Sequence, residues 1–376
     1  MEEGLLEEEK CIKDKKKFCI ILLIIINIMF LSLIIILFLL LKNSWKNEDE
    51  DNEKNKKSSD IYSFTATYYT IAENQSLTII TTLPHKDSMK CNIAKMTVDN
   101  KEVTPSTRHT FSYKGNHTVN FWMDITECDS LDEMFRTIYN LISISFTENF
   151  NTKNIKSMEK MFYYTYSLTS LDLSTFNTEN VVNFNYFIHY CLKLTSVDLS
   201  NLNTKNAKFF MEMFGYCTIL TTINVSSFNT ENVENMRLMF EGCRSLKSID
   251  LSNFNTKNVI EMDTMFFDCQ SLTSLDLSNF DTKKVKSMHS MFANCFSLKY
   301  LNISSFENQK LYGFQPLFSY CKNLSVLDMS SFKEYNHNGN DYFDAISNSG
   351  TIYVNRNFSN SAKENLPEGW VIKIVD

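Results

Sequence analysis

Two residue types recur at a spacing that could support chemistry. Cysteine falls at Cys191, Cys217, Cys243, Cys269, Cys295 and Cys321, with the same step between each and the next. Thiols in such a series can bridge, bind a soft metal or lie free. Neighbours in a parallel stack point alike and do not face each other, which disfavours bridges. Thr165 stands where the series should begin, and no Cys-x-x-Cys or Cys/His metal spacing accompanies it. Each thiol is therefore read as a small buried hydrophobe. Cys91 and Cys128 stand outside the series and are the better candidates for a disulfide.

The second series is acidic: Asp172, Asp198, Asp250, Asp276 and Asp328, with Asn224 and Asn302 in the same slot. Like charges stacked about 5 Å apart repel. Either water and the neighbouring Ser170, Ser196, Ser248 and Ser274 temper the row, or it holds a cation or a basic partner. A third column, Lys153, Glu179, Lys205, Glu231 and Lys257, alternates in sign and reads as a register signal between stacked segments. The six histidines, His85, His109, His117, His189, His289 and His337, are scattered. No Ser-His-Asp, phosphate-loop or metal-helix spacing goes with them, so no catalytic residue, metal ligand or cofactor site is assigned, and the chain reads as a non-enzyme.

The element that must position these columns is a repeat of about 26 residues. Its first leucine falls at Leu168, Leu194, Leu220, Leu246, Leu272, Leu298 and Leu324, at the same step as the cysteines. Each unit opens Leu-x-x-Leu-x-Leu, whose last two leucines share one side of an extended strand. A serine and an aromatic follow, as in Ser174 and Phe176, and the aromatic is expected to plug the turn from inside. The second half switches period: Val233, Met236, Met239, Phe240 and Cys243 mark one stripe of a short helix, with Asn229 to Asn232 supplying its caps. No such unit covers its own apolar face, so the units must stack as a solenoid.

The run Leu-x-Ser-Leu-Asp-Leu-Ser-x-Phe-Asn-Thr-x-Asn-Val-x-x-Met-x-x-Met-Phe-x-x-Cys resembles the repeat of the BspA-type leucine-rich-repeat surface proteins over roughly Cys128 to Phe332. The resemblance implies a horseshoe-like solenoid displayed outside a cell, with adhesion or binding roles and no catalysis. The fold class expected is α/β: a leucine-rich-repeat-like solenoid, with a parallel β-ladder plus short helices, preceded by a transmembrane helix and a small β-domain.

Taken in order, residues 1–17 form a charged cytoplasmic tail. Residues 18–41 are almost wholly apolar and, at 1.5 Å per residue, give about 36 Å of helix, enough for a signal anchor to cross a membrane. Lys10, Lys13, Lys15, Lys16 and Lys17 crowd its N-terminal side, which places the N-terminus in the cytoplasm. Residues 42–60 are a polar linker and 61–127 a small β-domain covering the solenoid's open edge. The solenoid spans 128–348, and 349–376 form a C-terminal cap with a short helix over Phe358 to Leu366 and a final strand. The first coil is degenerate, with one residue inserted near Ser145 or Thr147.

A net charge of −7 and the absence of any basic-aromatic groove exclude nucleic acid as a partner. The leading expectation is a single-pass cell-membrane protein whose extracellular repeat face binds a protein or glycan in adhesion. The competing one is a surface-coat or spacer protein that mainly self-associates. Ligand contacts are expected on the exposed strand slots Asp172, Asp198, Asn224, Asp250, Asp276, Tyr300, Asn302 and Val326. Tyr300 and Val326 break their column's Ser/Thr pattern.

Overall fold

The computed structural model describes residues 61–81, 91–307, 317–332, 343–357 and 366–375. The tail, the apolar run at 18–41, the linker and nearly all of the helix expected at Phe358 to Leu366 lie outside them. Among the described residues no helix is long and apolar enough to cross a membrane.

Strands β1 (Ile61–Thr70), β3 (Asn92–Val98), β4 (Lys101–Val103) and β6 (Gly115–Asp124) pair antiparallel, and β2 (Gln75–Thr78) pairs separately with β5 (Arg108–Phe111). The antiparallel sheet does not stop at the repeats. Strand β1 also pairs with β7 (Leu141–Phe146), the first strand of the solenoid, giving the order β4-β3-β6-β1-β7-β8-β9 with β8 (Ser170–Asp172) and β9 (Ser196–Asp198). From β7 onward the pairing is parallel. Cys91, just before β3, is disulfide-bonded to Cys128 at the entry to the first coil, with Cα atoms 5.8 Å apart.

The ladder resumes with β10 (Ser274–Asp276), β11 (Tyr300–Asn302) and β12 (Val326–Asp328). Between the two sheets the same slot is looser: Lys247 N lies 3.3 Å from Thr221 O, against 3.0 Å for Thr195 N to Thr169 O. Strands β13 (Ser349–Val354) and β14 (Gly369–Ile374) then add to the ladder in parallel, so the tail continues the stack. Register also brackets the inserted residue. Ile144 pairs with Leu171, one position beyond the repeat step, while buried Phe150 stacks on Phe176 at the step itself.

Inside, the columns read from the sequence are rows of buried side chains. All seven first leucines and all six repeat cysteines are fully buried, and the aromatic column from Phe150 to Phe332, with Leu202 in it, is buried as well. Phenylalanine rings of successive coils stack: Phe214, Phe240, Phe266, Phe292 and Phe318 lie 5.5–5.9 Å apart with planes within 14°. Each thiol is free. It donates to a carbonyl of the preceding coil, as Cys243 Sγ does to Phe214 O at 3.2 Å. Burial pushes the Cys191, Cys243 and Cys321 thiols up to about 12.

The expected helix is not there. Val233, Met236, Met239, Phe240 and Cys243 are all fully buried, as their spacing requires, yet the backbone between them is a chain of turns. Met239 N donates to Met236 O at 3.3 Å and Cys243 N to Phe240 O at 3.2 Å. The residue before each donor, Leu238 and Gly242, has a left-handed φ of 60° and 66°, as type II turns require. This geometry turns alternate amides outward along the stack. Met236, Leu238, Phe240 and Gly242 donate to Glu261, Asp263, Met265 and Phe267 of the next coil at 2.8–3.0 Å.

The stripe reported which residues lie inside, but the deciding acceptors are a whole coil downstream, outside any local pattern. A helix would have used those amides within its own coil. A left-handed non-glycine residue costs about 1–2 kcal/mol, and the inter-coil hydrogen bond offsets it. This second ladder runs as parallel bridges from Ser130 through Ser157, Asn183, Phe209, Asn235 and Glu261 to Ser287.

The Asn-Thr-x-Asn motif likewise caps no helix. Thr204 Oγ1 donates to Asn229 O at 2.9 Å and accepts from Asn229 N at 2.8 Å, both in the next coil. The same pair of bonds recurs at Thr152, Thr178, Thr230, Thr256 and Thr282. The motif's first Asn accepts from the amide two residues on, as Asn203 does from Lys205. Its last Asn donates back to the preceding coil, as Asn206 Nδ2 does to Glu179 O at 2.8 Å.

Candidate binding surface

Because alternate strand residues point to opposite faces, leucines at positions such as Leu275 and Leu301 face the core and their neighbours form one outward face. The eight residues expected to contact a ligand all lie on it. Ser274, Tyr300 and Val326 are in register in one column, and Asp276, Asn302 and Asp328 in the next. Asp172 is in register with Asp198, and Asn224 and Asp250 occupy the same slot of the coils between the two sheets. Tyr300 is 38% exposed and Val326 half-buried.

The structure gives the acidic column a job. Asp172, Asp198, Asn224, Asp250, Asp276, Asn302 and Asp328 each accept, through Oδ1, the amide of the serine two residues on, at 2.9–3.1 Å. These bonds end the strands. They also explain how like charges tolerate the stack. The Ser200 and Ser252 amides hold the Asp198 and Asp250 carboxyls below their ordinary value. At Asp276 desolvation pulls the other way, and bonds from Ser278 and Asn302 outweigh it. One oxygen of each carboxylate therefore serves the fold. A shallow depression of about 670 Å³ opens where β1 meets the first coils, lined by Thr65, Thr67, Ser143, Asp172, Asp198 and Asn224 among others.

Of the alternating charge column, Lys257 and Glu231 form an ion pair at 2.6 Å; the alternation then ends, since the next residue of the slot is Lys283, which lies 3.6 Å from Glu307 outside the column.

The sequence reading missed a second surface, on the turn side of the early coils. Tyr164, Tyr190 and Tyr216 stack in one column with ring centroids 4.6 and 4.3 Å apart. Tyr139 stacks on Tyr166 at 5.1 Å, and Tyr163 on His189 at 5.0 Å. His189 is buried, with Nε2 2.7 Å from Glu212 Oε2 but not aimed along a hydrogen bond, and Nδ1 has no hydrogen-bond partner. Tyr216 donates to Glu241 Oε1 at 3.1 Å. Desolvation first, then the charges of Glu212 and Asp268, raise Glu241 to about 7. The signal was present in the sequence as three tyrosines at the repeat step, masked by the more regular methionines and cysteines beside them.

Histidine and carboxylate do meet elsewhere. His117 Nδ1 lies 2.8 Å from Asp99 Oδ2 and its Nε2 3.2 Å from Thr70 Oγ1. Thr70 is fully buried and its hydroxyl hydrogen faces the Tyr113 and Gly115 carbonyls, so the constellation pins the β1–β6 end instead of presenting a nucleophile. Among the described residues no group of three or more His, Cys, Asp or Glu is arranged to hold a metal ion.

No curated protein matches the chain. Among solved structures, the functional domain of InlJ from Listeria monocytogenes, whose description notes a cysteine ladder, is similar at 12% identity and a TM-score of 0.15, over 70% of this chain and 76% of that one. A family model matches residues 129–248 and again 218–332, together more than half of the sequence. By that match the chain belongs to the family described as Mycoplasma protein of unknown function, DUF285.

Proposed function

We propose that this protein is a membrane-anchored cell-surface protein whose solenoid binds an extracellular protein or glycan in adhesion. The observation that carries the reading is the outward sheet face, where side chains from coil after coil stand in register with their turns fixed by Asx bonds. Such a rigid, extended surface suits macromolecular recognition. The apolar run at 18–41, the Cys91–Cys128 disulfide, which suits an oxidising exterior, and the repeat's resemblance to BspA-type surface proteins support the placement. The expected N-terminus is cytoplasmic, and protease protection of the repeat region in intact cells would overturn that topology. The binding face is tested by pull-down with Tyr300→Ala, where undiminished binding relocates the site.

One observation favours a self-associating coat. The edge strand β14 and the residue after it expose Val371, Ile374 and Val375 at 55%, 56% and 42%, and apolar edges invite pairing. A monodisperse monomer at high concentration rules that reading out.

A further inference from the structure

The tyrosine stripe asks more of the backbone than the three coils after it do. Tyr164, Tyr190 and Tyr216 all have left-handed φ, between 56° and 59°. In the next three coils the same slot holds Gly242, Asp268 and Asn294, residue types that tolerate this conformation, before a single tyrosine returns at Tyr320 with φ 63°. The early coils instead carry a bulky ring there three times in succession. They also make room for it. A Cβ on Gly242 would lie 2.7 Å from Tyr216 Cδ1, and one on Gly215 would lie 2.5 Å from His189 Cδ2. Stacking fixes these rings before any partner arrives, so little side-chain freedom remains to be lost on binding.

The stripe is open to solvent: Tyr139 is 51% exposed, and Tyr163, Tyr164, Tyr166, Tyr190 and Tyr216 are half-buried around the buried His189.

How the rings are held decides what they can take. Their faces are turned to one another at 4.3–5.1 Å. The flanking rings are covered by the protein's own cations, with Arg136 6.0 Å from the Tyr163 ring and Lys160 5.3 Å from that of Tyr186. Capture of a cation or stacking of a sugar needs a free aromatic face. The hydroxyls bond among themselves and to Glu212 and Glu241, so what remains outward is ring edges, which suit aromatic and aliphatic side chains. The charges at hand, Glu133, Glu159, Glu212, Glu241 and Asp268 against Arg136, Lys160, Arg237 and Arg244, nearly balance, so the centre attracts neither polyanion nor polycation strongly.

We infer that the tyrosine stripe on the turn side of the early coils is a docking surface for a protein partner, one that presents an uncharged segment of aromatic and aliphatic side chains. It is separate from the sheet face, so either surface can fail without the other.

The test uses the full-length chain in detergent micelles, immobilised against a random peptide display library, with a glycan array in parallel. The variant is Tyr164→Asn/Tyr190→Asn/Tyr216→Asn, since Asn294 already occupies that slot. Enriched peptides should be uncharged and rich in aromatic and aliphatic residues. They should bind the variant roughly tenfold or more weakly and bind Asp172→Asn/Asp198→Asn unchanged. Peptides that bind the triple variant equally, strongly charged peptides, or glycan binding with no enriched peptide would each overturn the assignment. Should the triple variant fail to fold, Tyr190→Asn alone is used, with nitration of Tyr164 and Tyr216 in the unmodified chain as the second readout. Bound peptide must then protect those tyrosines, and unprotected tyrosines refute the site.

Discussion

Replacing Thr204 by valine tests the inter-coil ladder at one atom. The side chain is fully buried, and its hydroxyl makes two hydrogen bonds to Asn229, 2.9 Å to the carbonyl and 2.8 Å from the amide. Valine keeps the shape and leaves both backbone groups without that partner. A buried polar group left unpaired costs about 1–3 kcal/mol. Two such groups set an upper range near 6, but Asn229 is an exposed residue, so water relieves part of the loss. The expected destabilisation is therefore about 2–3 kcal/mol. Thr204→Ser keeps the hydroxyl and loses one methyl, about 1 kcal/mol. Urea denaturation of the full chain reads both as shifts of the midpoint at constant slope. If Thr204→Val costs no more than Thr204→Ser, the threonine column is packing and the hydrogen-bond account is wrong.

Stability should also fall as pH rises from about 4.5 to 7. Glu241 is raised to about 7 by desolvation, so the folded chain keeps a proton there that the unfolded chain, at its ordinary 4.5, has released. The folded state thus binds more protons across that window, and rising pH favours unfolding by on the order of 1 kcal/mol after solvent screening; Glu241→Gln should flatten the profile, and an unchanged profile counts against the assignment. Iodoacetamide at pH 8 should leave Cys191, Cys243 and Cys321 unlabelled in the native chain and label them on unfolding, because burial holds their thiols near 12; mass analysis gives the count. Gly215→Ala should destabilise by about 1–3 kcal/mol, since its Cβ would sit 2.5 Å from the His189 ring, and His189→Ala in the same chain should recover most of it. No recovery in that double-mutant cycle would place the strain elsewhere.

The sequence was legible wherever a residue's role is to be inside. Leu168 to Leu324 and Cys191 to Cys321 are columns in the structure as they are in the text, because burial depends only on period. The Asp172 to Asp328 row was placed on the correct face for the same reason. What could not be read was where a hydrogen bond goes when its acceptor lies a whole coil away. That is why Met236 to Cys243 looked like a helix and why Asn229-Thr230-Glu231-Asn232 looked like its cap. The tyrosine stripe escaped notice because Tyr164, Tyr190 and Tyr216 sit beside stricter columns, and nothing local says that their rings stack outward at left-handed positions.

The outward-turned amides set a rule for how such a chain can change in length. Every donor at Met236, Leu238, Phe240 and Gly242 finds its acceptor at a fixed offset along the chain. Duplicating or deleting one whole coil therefore leaves all remaining pairings intact, while removing a few residues from the middle of a coil shifts every pairing at that seam. The single extra residue between Ile144 and Phe150 is tolerated beside β1, where a strand of another direction flanks the first coil. Growth and loss by whole units are the changes this architecture accepts most readily, so its length can be adjusted without redesign of any contact.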